Sequence, residues 1–180
     1  MKFKEFAGYL ERLEATTKRL EITDILAELI KKLGVEEIPP AMYLSLGYLK
    51  APFENKVFNV ADKLMIRILQ SLTNKNVDEL FAQHGDLGTV AKIVLSDNKD
   101  RGMSIAEVYE KLLEIAYIEG AGSVELKMKK TAALLNSVDT LSAKFITRII
   151  LGIFRFVFVP FCFDEVFHLT LETLFRKFFG

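Results

Sequence analysis

One cysteine, two histidines and no tryptophan leave this chain poor in the residues from which many reactive sites are built. Cys162 has no second cysteine to pair with, so an internal disulfide and a cysteine-built zinc site are both excluded. That composition fits a reducing compartment. His84 and His168 are far apart in sequence, and neither has a neighbour at metal-ligand spacing. His84 reads as the end of a helix, where a cation is favoured, and His168 as a helix-face residue between apolar neighbours. No aspartate is followed by glycine, so the Lys-x-Asp-Gly motif of nucleotidyl transfer is absent. Also missing are a Gly-x-x-x-x-Gly-Lys loop, a Gly-x-Gly-x-x-Gly turn and a nucleophile elbow around a serine. Independent catalysis is therefore not expected, and the chain offers no motif for holding a cofactor or a metal. The N-terminal Met1-Lys2-Phe3-Lys4-Glu5-Phe6 lacks the apolar core of a signal peptide. Together with the lone cysteine, this predicts a cytoplasmic protein.

Excess charge is missing too. Lysine and arginine number 24, aspartate and glutamate 24, for a formal net charge of zero. Nucleic-acid binders are more often basic, yet a neutral chain can still carry a basic face. No stretch alternates apolar and polar residues between turn signals, so strands are not expected.

What is present is helical periodicity. A chain of 180 residues is enough for one domain with a substantial core. Phe3, Phe6, Leu10 and Leu13 share one helical face, opposite Lys4, Glu5, Glu11, Arg12 and Glu14. Ile22, Ile25, Leu26, Leu29, Ile30 and Leu33 form a second stripe, closed by Gly34. Pro39-Pro40 opens a short helix over Ala41 to Leu46. Asn59 is a candidate N-cap for a helix carrying Val60, Leu64, Ile68 and Leu72, in which Arg67 packs its stem and pairs with an acid. Asn76 with Glu79, and Ser104 with Glu107, have capping-box spacing, the latter opening a helix to Glu119. Ser123 and Asp139 open two more. The fold class is all-α, about eight or nine short helices.

Two glycine-bracketed turns stand out, 35 residues apart. One is Gly85-Asp86-Leu87-Gly88, the other Gly120-Ala121-Gly122-Ser123, and each runs into a helix. Main-chain N–H groups without side-chain bulk at a helix N-terminus suit phosphate oxygens. The plainer alternative is that Gly85 and Gly120 are C-terminal caps of the helices before them.

Composition breaks after Gly152. Residues 153–180 hold nine of the fifteen phenylalanines. Arg155 and Pro160 interrupt the apolar run from Ile149 to Phe163, which is too short for a membrane span. Phe167, Leu171, Leu174, Phe175 and Phe178 fit an amphipathic helix. Such a tail packs on the core, binds a partner or lies at a membrane surface.

Several stretches between Met1 and Gly152 resemble the N-terminal DNA-binding domain of the ATP-dependent DNA ligases of archaeal and bacterial replicative type. They are Thr16-Thr17-Lys18-Arg19-Leu20-Glu21-Ile22-Thr23-Asp24-Ile25-Leu26, Ile38-Pro39-Pro40-Ala41-Met42-Tyr43-Leu44-Ser45-Leu46-Gly47, the two glycine turns, and Ala143-Lys144-Phe145-Ile146-Thr147-Arg148-Ile149-Ile150-Leu151-Gly152. Their order and spacing carry the match. The resemblance implies an all-helical domain of two pseudo-symmetric halves that lies across the minor groove and touches phosphates on both sides of a nick. Affinity would then be independent of base sequence and weakened by salt. It also implies roles. Gly85 and Gly88 of the first turn, with Gly120 and Gly122 of the second, would let the backbone approach the duplex, and Asp86 would belong to the same DNA-contacting turn. Ser123 would donate a hydroxyl or N–H, and Lys127, Lys130, Lys144 and Arg148 would supply charge, against the alternative of solvated helix faces. The implied partners are nicked double-stranded DNA and the remaining ligase domains, in DNA replication, repair and recombination. ATP and a divalent metal would belong to an adenylation domain outside residues 1–152. The family continues past the Gly152 position with a Lys-Leu-Arg-Leu-Gly-type stretch, whereas this chain reads Ile153-Phe154-Arg155-Phe156-Val157-Phe158. Residues 153–180 are accordingly read as a frameshifted tail on a truncated ligase. The rival is a stand-alone helical interaction or membrane-peripheral protein that uses the phenylalanine-rich tail.

Overall fold

The computed structural model describes residues 1–50, 54 and 57–153. The phenylalanine-rich segment 154–180, with its frameshift, amphipathic-helix and membrane-surface readings, lies outside the described residues. Within them nine α-helices follow one another: α1 (Phe3–Glu14), α2 (Arg19–Lys32), α3 (Ile38–Ser45), α4 (Asp62–Gln70), α5 (Val77–His84), α6 (Leu87–Val94), α7 (Ile105–Ala116), α8 (Ser123–Leu135) and α9 (Thr140–Leu151). No strand occurs among the described residues, only an isolated bridge between Lys2 and Ser104. The all-α expectation is met.

The expected apolar stripes are the faces that pack. Phe3, Phe6, Leu10 and Leu13 of α1 are buried, as are Ile22, Ile25, Leu26, Leu29 and Ile30 of α2. Phe3 and Phe6 meet edge to face with ring centroids 5.5 Å apart, a preferred aromatic geometry. Helix α9 is the hub. It packs most extensively against α6, touches α1, α4 and α8 as well, and buries Ser142, Ala143, Phe145, Ile146, Thr147, Ile149 and Ile150. A helix buried on so many sides needs few polar positions, which is why Lys144 and Arg148 matter below.

Local capping chemistry sets several helix starts. The Asn76 side chain accepts the Glu79 N–H, and Asp139 accepts from Leu141 and Ser142. Ser104 and Glu107 form a reciprocal box. Other boundaries differ from expectation. Helix α3 starts at Ile38, so both prolines fall in its first turn, where their missing N–H costs no internal bond. Asn59 is not a cap: α4 begins at Asp62, and Asn59 instead adopts a left-handed backbone at φ 52°, which asparagine tolerates better than most residues. Helix α7 ends at Ala116, not Glu119, leaving Tyr117 to Gly122 as a longer connection. Gly34 has an ordinary φ of −68° and starts a 3-10 turn rather than closing α2 in a left-handed cap. Arg67 is exposed on α4 rather than packed.

Candidate nucleic-acid interface

The two glycine turns fold differently. In the first, Gly85 ends α5 in the left-handed region at φ 69°, and its N–H bonds the Phe81 carbonyl at 2.8 Å. That is the C-terminal cap of the plainer alternative. Asp86 follows as N-cap of α6. Its carboxylate accepts the N–H of Gly88 at 3.3 Å, the N–H of Thr89 at 2.8 Å and the Thr89 hydroxyl at 2.6 Å. Amides that an anion could have used at this helix start therefore already serve an anion of the protein itself.

Arg148 locks that carboxylate from α9. Its Nη2 lies 2.7 Å from Asp86 Oδ2, and its Nε is 3.2 Å from both carboxylate oxygens. The other guanidinium arm, Nη1, donates to Glu14 at the end of α1. Lys144, one turn earlier on α9, reaches the second Glu14 oxygen at 2.6 Å. Two cations of α9 thus hold two carboxylates, one from α1 and one from α6. Burial opposes charge on Asp86, yet hydrogen bonds from Arg148 and Thr89 outweigh it and hold its carboxyl far below the ordinary range. Glu14 is likewise held low, by Lys144 and Arg148 against the cost of burial.

Gly88 is buried beneath this network. A β-carbon there would stand 2.7 Å from Arg148 Cγ and 2.9 Å from the Lys144 carbonyl oxygen. The missing side chain lets α6 and α9 approach each other, so the close approach at Gly88 is to protein. Lys144 and Arg148, expected as phosphate contacts, have side chains only 13% and 16% exposed and are engaged inside the fold.

The second turn is open. Gly120 and Gly122 have φ of 90° and 76°, a region that glycine adopts without strain. A β-carbon on either would meet nothing within 4 Å. Gly120 lies beyond the cap of α7, at Tyr117, so it does not itself cap that helix. Gly122 is the N-cap of α8 and supplies no side-chain acceptor. Ser123 is the first residue of α8, half-buried, and its N–H bonds the Gly120 carbonyl at 3.2 Å. Exposed Val124 and Glu125 follow.

The lysines of α8 divide. Lys127 is only 5% exposed, and its Nζ donates to the Phe58 carbonyl at 2.7 Å; it is not a surface contact. Lys130 is half-buried and ion-pairs with Glu114 of α7. Lys129, passed over in the sequence, is exposed and makes no ion pair among the described residues. Glu14 was passed over as well. As an acid at the end of an amphipathic helix it looks like any solvated residue, and nothing local marks its pairing with α9. Of the ten residues expected at a DNA surface, Gly120, Gly122 and Ser123 form the open turn, whereas Asp86, Gly88, Lys127, Lys144 and Arg148 are engaged within the protein. No group of three or more histidine, cysteine, aspartate or glutamate side chains among the described residues is arranged to hold a metal ion. No helix among them is long and apolar enough to cross a membrane.

Residues 2–168 match the family described as DNA ligase N terminus, a span that runs past Gly152. The chain is 37% identical to the DNA ligase of Nitrosopumilus maritimus over an alignment of 163 residues that covers 86% of this chain and 28% of that protein. With the probable DNA ligase of Dictyoglomus thermophilum it shares 35% identity over 157 residues, again 86% of this chain and 27% of that protein. The DNA ligase of Sulfolobus acidocaldarius is 36% identical over 171 residues, with 29% of its length covered. The chain thus spans 27–29% of the length of these curated relatives. By this match, and by its all-helical build, the chain belongs to the family of DNA ligase N-terminal domains.

Proposed function

We propose that this domain binds duplex DNA through backbone phosphates, as the nick-gripping module of a DNA-joining enzyme. The observation that carries the proposal is the turn Gly120–Ser123, where a helix N-terminus faces solvent with no side-chain cap and two glycines in open space. Uncapped amides and the positive end of the α8 dipole favour an anion there. Glu119 and Glu125 flank the turn, so its attraction for phosphate comes from short-range amide contacts and not from net charge. Membership of a ligase family and similarity to DNA ligases make the DNA backbone the polyanion of choice. ATP adenylation and metal-assisted joining would fall to the rest of a whole ligase, of whose length this chain spans 27–29% in its relatives.

The test is a titration of intact and singly nicked duplexes with this chain across salt concentrations. Binding should be indifferent to base sequence, weaken linearly on a log–log salt plot, and favour the nicked duplex. Gly122→Val, which adds bulk on the open face and strains its left-handed backbone, should weaken it several-fold at some cost in stability, with the overall helicity kept. A chain that ignores duplex DNA at low salt, or binds it with no salt dependence, would sink the proposal.

A further inference from the structure

Lys127 is a cation in the wrong place for a solvent-facing helix residue. It sits on α8 one turn inside the open end, almost fully buried, and donates one hydrogen bond, 2.7 Å long, to the Phe58 carbonyl. No carboxylate pairs with it among the described residues. Burying an ammonium against a neutral carbonyl is expensive, and an aliphatic side chain of the same length would serve packing better.

Its partner segment is unusual as well. Phe58 and Val60 are buried, and between them Asn59 holds φ 52°, the one non-glycine residue with positive φ among those described. The segment forms one wall of an uncharged groove of about 870 Å³, whose other walls are Leu46–Leu49 and Ile149–Gly152. Val57 at its start is exposed, as is Val124, which lies one turn before Lys127 on the same face of α8. Beside the packing of α4 on α8, a hydrogen bond from a buried lysine therefore joins the segment ahead of α4 to the first turns of α8, where the candidate phosphate contact lies.

We propose that Lys127 is a positioning residue for duplex binding: its buried ammonium ties the Val57–Ala61 segment to α8 and so fixes the presentation of the Gly120–Ser123 turn. This rests on the function proposed above. Lys127 does not touch a phosphate. It acts through Phe58 and the backbone it holds.

Lys127→Met keeps the length and removes both charge and donor. The full chain carrying it should keep its helicity and melting temperature, yet bind duplex 5- to 10-fold more weakly. The slope of log affinity against log salt should stay that of the parent, because each lost phosphate contact lowers it by about 0.9 and none is lost. Asn59→Gly loosens the same segment without touching Lys127. It should weaken binding in the same direction, and the double variant should bind no worse than Lys127→Met alone. If Lys127→Met destabilises the fold, the Asn59→Gly affinity decides. Unchanged affinity in both variants would make Lys127 a packing residue only and overturn the proposal. A weaker Lys127→Met with a shallower slope would also overturn it, by making Lys127 a direct contact. Failure of the parent chain to bind duplex at all would count against the proposed function instead.

Discussion

The turns at 85–88 and 120–123 share a sequence pattern and differ in what their surroundings do with it. Each brackets two residues between small ones and runs straight into a helix. At the first, Asp86 fills the helix start with its own carboxylate, and Arg148 reaches across from α9 to hold that carboxylate. At the second, Gly122 stands where Asp86 would, and the α8 start is left to solvent. One side chain separates a structural joint from a free anion-favouring end. A glycine-flanked helix start is therefore ambiguous until the residue at its N-cap is known: an aspartate there is a competitor for any incoming phosphate, and a glycine is not.

Removing the competitor gives the largest expected effect. Asp86→Ala deletes the cap of α6 and leaves Arg148 with only Glu14, so the domain should lose about 3 kcal/mol, from one lost cap and a half-broken, partly buried ion pair. Denaturant unfolding measures this. A loss below about 0.5 kcal/mol, the size of an ordinary surface change, would mean that the joint is not structural.

Alanine at the two matched glycines sharpens the contrast. Gly88→Ala gains helix propensity but drives a methyl to within 3 Å of Arg148 and the α9 backbone. The clash should win, at about 2 kcal/mol destabilising. Gly122→Ala meets no neighbour and costs only its left-handed φ, about 1 kcal/mol. Equal losses at both sites would remove the distinction between a packed and an open turn.

Acid should also separate them. Asp86 and Glu14 have folded-state pKa values held below their unfolded ones. Their contribution is present in full above the unfolded values, about 4, and is lost as pH falls through that point toward the folded ones. Thermal melts of the parent chain should therefore drop between about pH 5 and pH 2, in the window opened by those unfolded values. Asp86→Asn, less stable throughout, should drop less over the same window, because one of the carboxyls held low is gone while Glu14, Glu28, Glu37, Glu107 and Glu114 still titrate. A parallel fall in both would place the acid sensitivity elsewhere.

These contrasts also show what a sequence can carry. Asn76, Ser104 and Asp139 were legible as caps because a capping side chain and the N–H that donates to it lie within three residues. The stripes of α1 and α2 were legible because burial follows the helical period. Gly88 was legible as a place of close approach, but not as an approach to protein, since its neighbours Lys144 and Arg148 come from a helix far along the chain. Lys127 fell to the same difficulty: its spacing on α8 suits a surface cation, and only the fold brings Phe58 over it. The candidate site is half legible for this reason. Its open half is local, whereas the engaged half is decided by tertiary neighbours.

The smallest expected effect lies on the open turn itself. Glu125 is an acid in the first turn of α8, where it favours the helix dipole and also repels an incoming phosphate. The two roles give opposite signs. Glu125→Gln should lower stability by a few tenths of a kcal/mol, and it should raise duplex affinity about twofold at low salt, a charge effect that fades once screening closes to about 10 Å near 0.1 M salt. The same exchange at Glu107, the acid that closes the α7 capping box, should lower stability and leave duplex binding alone. Stability and affinity moving apart at Glu125 but not at Glu107 would locate the phosphate at α8. Affinity unmoved at both would place the duplex on another face and leave the open turn without a ligand.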